Sequence, residues 1–185
     1  MSKSEMLQTT KDQAISLLTV EGLQVYSLRG DPANRAFLSA VKSLFGVSLP
    51  QKSGTTQEKG GCSILWMGPD EWLVIANETE SLPEPSQMEE ALTGFHHALV
   101  DLSHSFVAFS LSGTKTREAL SKGCSLDFFS YDWKKGTCAN SLLARCDVTI
   151  WQRSARPDYM LLVRNSLADY VSDFLLDAIA EYNAL

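Results

Sequence analysis

Asp70 and Glu71 stand side by side in "ILWMGPDEWLVIA", Ile64 to Ala76, where four polar or turn-forming residues separate two apolar runs that each carry a tryptophan. Two carboxylates converging on one reacting atom could divide acid and base duty between them. Neighbours on an extended backbone point to opposite sides, so this pair reads instead as the corner of a hairpin. Asp101, Ser103 and His104 in "DLSHS" supply the residue types of a nucleophilic triad. In a strand, however, Ser103 and His104 face opposite ways, and no G-x-S-x-G elbow is present. His96 and His97 are adjacent on a predicted helix, about 100° apart, a poor geometry for sharing a metal. "LSGTKTREALSKGCSLD", 111–127, places Gly113 before a helix but lacks both the G-x-G-x-x-G and the Walker spacing, so it reads as a strand-to-helix turn. Cys62, Cys124, Cys138 and Cys146 have no CxxC spacing and no histidines at zinc-finger intervals, which makes them small buried hydrophobes. No residue is assigned as catalytic, cofactor-binding or metal-ligating.

Pattern and punctuation give the scaffold around these residues. "GLQVYSL", 22–28, reads as a strand. A helix comes next, with Asp31 as N-cap, Pro32 at its first position and Gly46 past its end. Its buried face is Ala36, Phe37, Ala40, Val41, Leu44 and Phe45. After a flexible loop at 51–61 comes the opening hairpin, apolar on both faces and so expected inside a sheet covered on both sides. Pro69 at the second turn position presets φ, and Asp70 suits the third. Ser86 with Glu89 predicts a capping box for a helix burying Met88, Leu92, Phe95 and Leu99. A strand at 99–111 completes a β-α-β-β-α-β order, the split βαβ or ferredoxin-like arrangement.

The second half partly repeats this order, with a short helix from Thr114 to Lys122 and strands at 138–152 and 158–164. Ser166 with Asp169 predicts the cap of a last helix whose stripe is Leu167, Tyr170, Val171, Phe174, Leu175, Ala178 and Ile179. The expected fold class is therefore α+β, two ferredoxin-like halves at 14–111 and 112–185 forming one continuous globular unit behind a flexible N-terminal arm, 1–13.

A net charge of −6 and a pI near 5.0 exclude a nucleic-acid or anionic-membrane surface, both of which need a basic face. The opening "MSKSEMLQTTKDQ" has no apolar core of a secretory signal, and no apolar run approaches a membrane span. A soluble, cytoplasmic protein is expected. "DFFSYDWKKG", 127–136, gathers Phe128, Phe129, Tyr131 and Trp133 into one connection, the strongest interface signal in the composition.

"MGPDEWLVIA", "DLSHSFVAFSLSGTKTREALSKGCSLD", "GTCANSLLA" and "YMLLVRNSLADYVSDFLLDAI", in this order from about Gly61 to the C-terminus, together resemble the gamma-subunit family of heterotetrameric sarcosine oxidases. Through "DLSHS…LSG…L…G…D", Asp101 to Asp127, the chain is more distantly similar to the folate-binding aminomethyltransferases of the glycine cleavage system. The resemblance implies an α+β fold of ferredoxin-like halves and partnership with alpha, beta and delta subunits. It implies a complex that oxidatively demethylates sarcosine, yielding glycine, a folate-bound one-carbon unit or formaldehyde, and hydrogen peroxide. FAD, FMN, NAD, zinc and tetrahydrofolate are expected on the other subunits and no cofactor in this chain. The transferases carry a glycine-glycine…aspartate-aspartate stretch between two strands that supplies their catalytic carboxylate. Here "LLARCDVTIWQ", 142–152, is short, lacks glycine and offers only Asp147, so that role does not carry over. The expectation is a non-catalytic structural or interaction subunit; the alternative is an independent folate-binding or aminomethyltransferase-like protein.

Overall fold

A computed structural model describes residues 14–76, 82–130 and 132–183. The chain forms two compact units: Gly22–His104 is one, and the other joins the segment ending at Glu21 to the stretch that begins at Ser105. The division thus falls at 104/105, not between 111 and 112, and the second unit takes its first strand from ahead of the first unit. The expected arm at 1–13 lies outside the described residues.

That strand is β1 (Ser16–Val20). The unit Gly22–His104 contains β2 (Gln24–Gly30), α1 (Arg35–Phe45), β3 (Thr56–Lys59), β4 (Cys62–Gly68), β5 (Glu71–Ala76), α2 (Pro85–Leu92) and β6 (His97–Asp101). Its sheet runs β3-β4-β5-β2-β6 with every neighbour antiparallel. The last four strands are the expected split βαβ, and β3 adds an edge. Phe37 and Val41 of α1 and Met88 and Leu92 of α2 pack with Leu28, Ile64, Trp72 and Val74 in one core, so both helices cover the same sheet face.

Helix starts differ from expectation. Asn34, not Asp31, caps α1: its Oδ1 accepts the Ala36 and Phe37 amides at 3.0 and 3.2 Å. Asp31 instead holds the Ala33 amide at 2.8 Å, in a turn that precedes the helix. Glu84 caps α2 in a reciprocal box with Gln87, and Pro85 takes the first helical position, displacing the expected Ser86–Glu89 pair. That helix ends at Leu92, because Thr93 is extended and Gly94 has φ +89°. Phe95 and Leu99 still reach the core, but from a turn and from β6; Phe95 meets the Phe37 ring edge-on at 5.8 Å.

The predicted strand at 99–111 is two strands in different sheets, β6 and β7 (Phe106–Ser112). The second unit continues with α3 (Thr116–Ser121), β8 (Cys138–Leu143), β9 (Cys146–Gln152), β10 (Asp158–Arg164), a 3-10 turn at Asn165–Leu167 and α4 (Ala168–Asn183). Its sheet order is β1-β7-β10-β9-β8. With β7, β9 and β10 in the places of β2, β4 and β5, and β8 in that of β3, this repeats the other unit, except that the fourth position is filled by β1. The second half is a circularly permuted split βαβ.

Three features hold β1 there. Ile15 and Leu17 are fully buried in the core with Leu111, Tyr159 and Leu175. The Asn183 side chain clamps Ile15, accepting its amide at 3.2 Å and donating to its carbonyl at 2.9 Å. Gly113 has φ +130°, and a Cβ there would lie 2.2 Å from the Ala14 carbonyl oxygen, so only glycine admits this crossing. In α4, Val171, Leu175, Ala178 and Ile179 are buried as expected, but Leu167 and Tyr170 are 36% and 47% exposed. The 3-10 turn, at three residues per turn, shifts the phase of the predicted stripe at its start and occupies the place of the expected Ser166 cap.

The β8–β9 hairpin turns through Ala144, whose φ of +54° is the left-handed region. Replacing Ala144 with glycine removes that penalty and costs unfolded-chain entropy, for a net gain of about 0.5 kcal/mol measurable as a raised urea midpoint.

Candidate functional site

The two carboxylates of the opening stretch are parted by the turn between β4 and β5. Asp70 reaches sideways to β2, where Arg29 donates to both its oxygens at 3.1 and 2.9 Å. Its carbonyl accepts the Gly30 amide at 3.1 Å. Glu71 begins β5 opposite Gly68. Asp70 therefore ties a hairpin corner to the neighbouring strand. Both members of the ion pair are 53% exposed, so it fixes geometry more than it stabilises. The hairpin is buried on both faces as expected, with Ile64, Leu65, Trp72 and Val74 fully enclosed or nearly so.

"DLSHS" closes the same unit. Asp101 accepts the Ser103 amide at 2.8 Å, and the Ser103 hydroxyl accepts the Val25 amide at 3.1 Å. Leu102 donates to the Val25 carbonyl at 2.7 Å, and Tyr26 Oη donates to Asp101 at 3.4 Å. Sequence reasoning placed these residues on a continuous strand; the structure makes them the corner that ends β6 and stitches it to β2. Hydrogen bonding from Ser103, side chain first and then backbone, holds the Asp101 carboxyl below its ordinary value, with smaller help from Tyr26 and His104 against the opposing effect of burial. A depressed carboxyl stabilises the fold above its unfolded pKa and loses that contribution as pH falls through its folded value. Asp101→Asn is expected to flatten the fall of stability below about pH 4, read from urea midpoints across an acid series.

His96 and His97 do not share a helix. His97 opens β6, its Nδ1 against the Phe95 carbonyl at 3.1 Å and its Nε2 against Glu89 at 3.2 Å, while His96 is exposed. They line a shallow cleft of about 500 Å³ with Arg29, Asp31 and Asp70. Among the described residues no group of three or more His, Cys, Asp or Glu is placed to hold a metal. The cysteines are free and buried, and burial pushes the Cys62 thiol up to about 11, so it is protonated at neutral pH.

The aromatic connection divides in two. Phe128 is fully buried, its ring 5.1 Å from that of Trp133 and 5.7 Å from that of Tyr159. Trp133 is half-buried against the same core, and Arg117 Nε donates to Tyr159 Oη at 3.2 Å. These two rings fasten the loop to its own unit, which removes Phe128 from any partner surface. Phe129, 59% exposed, points the other way. Tyr131 lies outside the described residues. In the β8–β9 hairpin the chain reverses at Ala144 and Arg145, and Asp147, opposite Leu142, is exposed. This short hairpin offers a single carboxylate, Asp147, and no glycine.

Two split-βαβ units, one of them permuted, form an aminomethyltransferase-like α+β fold. A glycine cleavage system aminomethyltransferase T from Bartonella henselae superposes with a TM-score of 0.62 at 15% identity, over 89% of this chain and 46% of its own, and shares the fold. The sequence profile described as the sarcosine oxidase gamma subunit family matches residues 29–181, and the chain belongs to that family. The sarcosine oxidase subunit gamma of Corynebacterium sp. (strain U-96) is 26% identical over 97% of this chain and 86% of its own length. That of an Arthrobacter species is 29% identical over 78% and 70%. A chain of the heterotetrameric sarcosine oxidase from Corynebacterium sp. U-96, in complex with pyrrole 2-carboxylate, superposes with a TM-score of 0.84 at 25% identity over 97% and 90% of the two chains.

Proposed function

We propose that this chain works as the gamma subunit of a heterotetrameric sarcosine oxidase, beside alpha, beta and delta chains, and contributes surface rather than reacting groups. The observation that carries this reading is the near full-length match to a chain of such a heterotetramer. It is supported by the side chains that could do chemistry: Asp70, Asp101 and Ser103 are each committed to fastening β2 to its neighbours. FAD, FMN, NAD, zinc and tetrahydrofolate belong to the other subunits, and the complex thereby oxidises sarcosine and handles its methyl carbon. This chain braces the folate-binding region and helps exclude water, which protects the hydrolysable imine product before its carbon is transferred. Phe129 is the exposed anchor of the aromatic connection in this role.

The test is purification through a tag on this chain from its source grown on sarcosine. A yellow eluate with sarcosine-dependent peroxide production supports the reading; a colourless, inactive eluate overturns it. Asp70→Asn with Glu71→Gln is expected to leave turnover per assembled complex within twofold of wild type. Loss of turnover in an intact complex would return those carboxylates to the chemistry.

A further inference from the structure

We infer that one end of the sheet β1-β7-β10-β9-β8 is a docking surface for a carboxylate-bearing, apolar surface of a different chain in the same oxidase. This deepens the subunit reading and rests on it. Strand register brings the surface together. Arg164 ends β10 opposite Phe106, the first residue of β7. Val163 pairs with Val148 near the start of β9, and Leu142 of β8 pairs with Asp147 just before it. The Ala144–Arg145 turn, Arg164 and the entry to α4 at Leu167 and Tyr170 therefore share one end of the sheet.

Three of the chain's exposed large hydrophobic side chains lie there: Leu142 at 52%, Tyr170 at 47% and Leu167 at 36%. Arg145 and Arg164 are exposed among them. The Arg164 guanidinium lies 4.8 Å over the Phe106 ring, and among the described residues neither arginine has a carboxylate partner. The acids nearby are Asp147, beside Leu142, and Asp169, which already has an interaction of its own. In a chain of net charge −6, Arg145 and Arg164 sit beside the exposed Leu142, Leu167 and Tyr170 with no ion pair of their own among the described residues. Arginine and tyrosine are the side chains that dominate buried interface energetics, and a guanidinium stacked on a ring keeps its donors free for a planar carboxylate. The near full-length match to a chain of a heterotetramer favours a different chain over a second copy as the occupant.

The experiment uses the assembly purified through this chain, carrying Arg145→Glu with Arg164→Glu, Leu142→Ser, or Arg35→Glu as an exposed charge reversal in the other unit. Dissociation on dilution is followed by mass photometry, and thermal unfolding of each isolated chain separates docking from folding. The arginine pair and Leu142→Ser are each expected to raise the dissociation constant at least tenfold with the unfolding temperature unchanged, and Arg35→Glu to leave it within twofold. The arginine pair is also expected to lose the salt dependence that the wild-type assembly shows. If the charge reversal unfolds the chain, Arg145→Gln with Arg164→Gln serves in its place with the same expected direction. Wild-type dissociation in these variants overturns this surface alone, as does a homodimer of this chain that the arginine variants disperse. A wild-type chain that enters no assembly overturns the subunit reading and the surface with it.

Discussion

A chain begun at Gly22 loses the cooperative unfolding of the unit built on β7 to β10. The deletion removes β1, whose five residues pair with β7 from Ser16 opposite Ser112 to Val20 opposite Ala108. It strips two fully buried side chains, Ile15 and Leu17, from the core. Each contributes about 1.5–3 kcal/mol by burial alone. The deletion also turns β7 into a raw strand edge, uncovers Leu111, and leaves the Asn183 amide without the Ile15 backbone. A loss of about 4 kcal/mol or more consumes most of the stability of an ordinary domain. Urea unfolding by circular dichroism should then show a smaller amplitude and a shallower slope, because less surface is exposed on unfolding. An unchanged transition would mean that β1 is an accessory strand and the permuted topology carries no weight.

Trp72→Ala is expected to cost about 3–5 kcal/mol, the range for emptying a large aromatic site. Trp72 is fully buried at the centre of the other unit's core, between Tyr26, Leu28, Ile64 and the two helices. Its Nε1 donates to the Pro50 carbonyl at 2.8 Å, fastening the loop after α1 to the sheet. Alanine leaves a void and an orphaned carbonyl; phenylalanine fills most of the void and orphans only the carbonyl. The Phe variant should therefore recover more than half of the loss, and the remainder measures the hydrogen bond, about 1–3 kcal/mol. Urea midpoints of both variants check this, and equal losses would place the cost in the hydrogen bond instead of the packing.

The central hairpin was legible because every signal for it is local. Gly68, Pro69 and Asp70 specify the turn, and the runs on either side are apolar at every position, as a strand pair buried on both faces requires. β1 was not legible for the opposite reason. "SLLTV" is a short run beside a polar tail, and its partner β7 lies far along the chain, so nothing nearby marks it as a strand or says which sheet it joins. The break at Leu102–Ser105 was hidden because "DLSHS" sits between two strands of similar composition, and the signs of a corner are bonds to Val25 and Tyr26 on another strand. The helix caps show a nearer limit. Asp31 and Asn34 are both good caps three residues apart, and Ser86 is intrinsically a better cap than Glu84 two residues before it, yet the choice is made by the turn each helix must leave. Phe128 and Phe129 differ in nothing that composition can register, yet one is core and the other is surface. Which of two adjacent aromatics is buried depends on where Tyr159 waits to receive a ring.

Little of the candidate site was legible, because the bonds that occupy Asp70 and Ser103 run to Arg29 and Val25 on a strand distant in sequence. Ser103 and His104 could not meet on a strand, and in the folded corner Ser103 is bound to Val25 instead. The arginines at 145 and 164 were invisible as a pair, since only the register of β8, β9 and β10 brings them to one end of a sheet.

Whether this chain is one subunit among four is decided by native mass spectrometry of the assembly purified through a tag on it. The expected result is one copy of this 20.4 kDa chain bound to three different larger or smaller partners in a single complex with sarcosine-dependent turnover. A homo-oligomer, or this chain alone with saturable tetrahydrofolate binding, would contradict it.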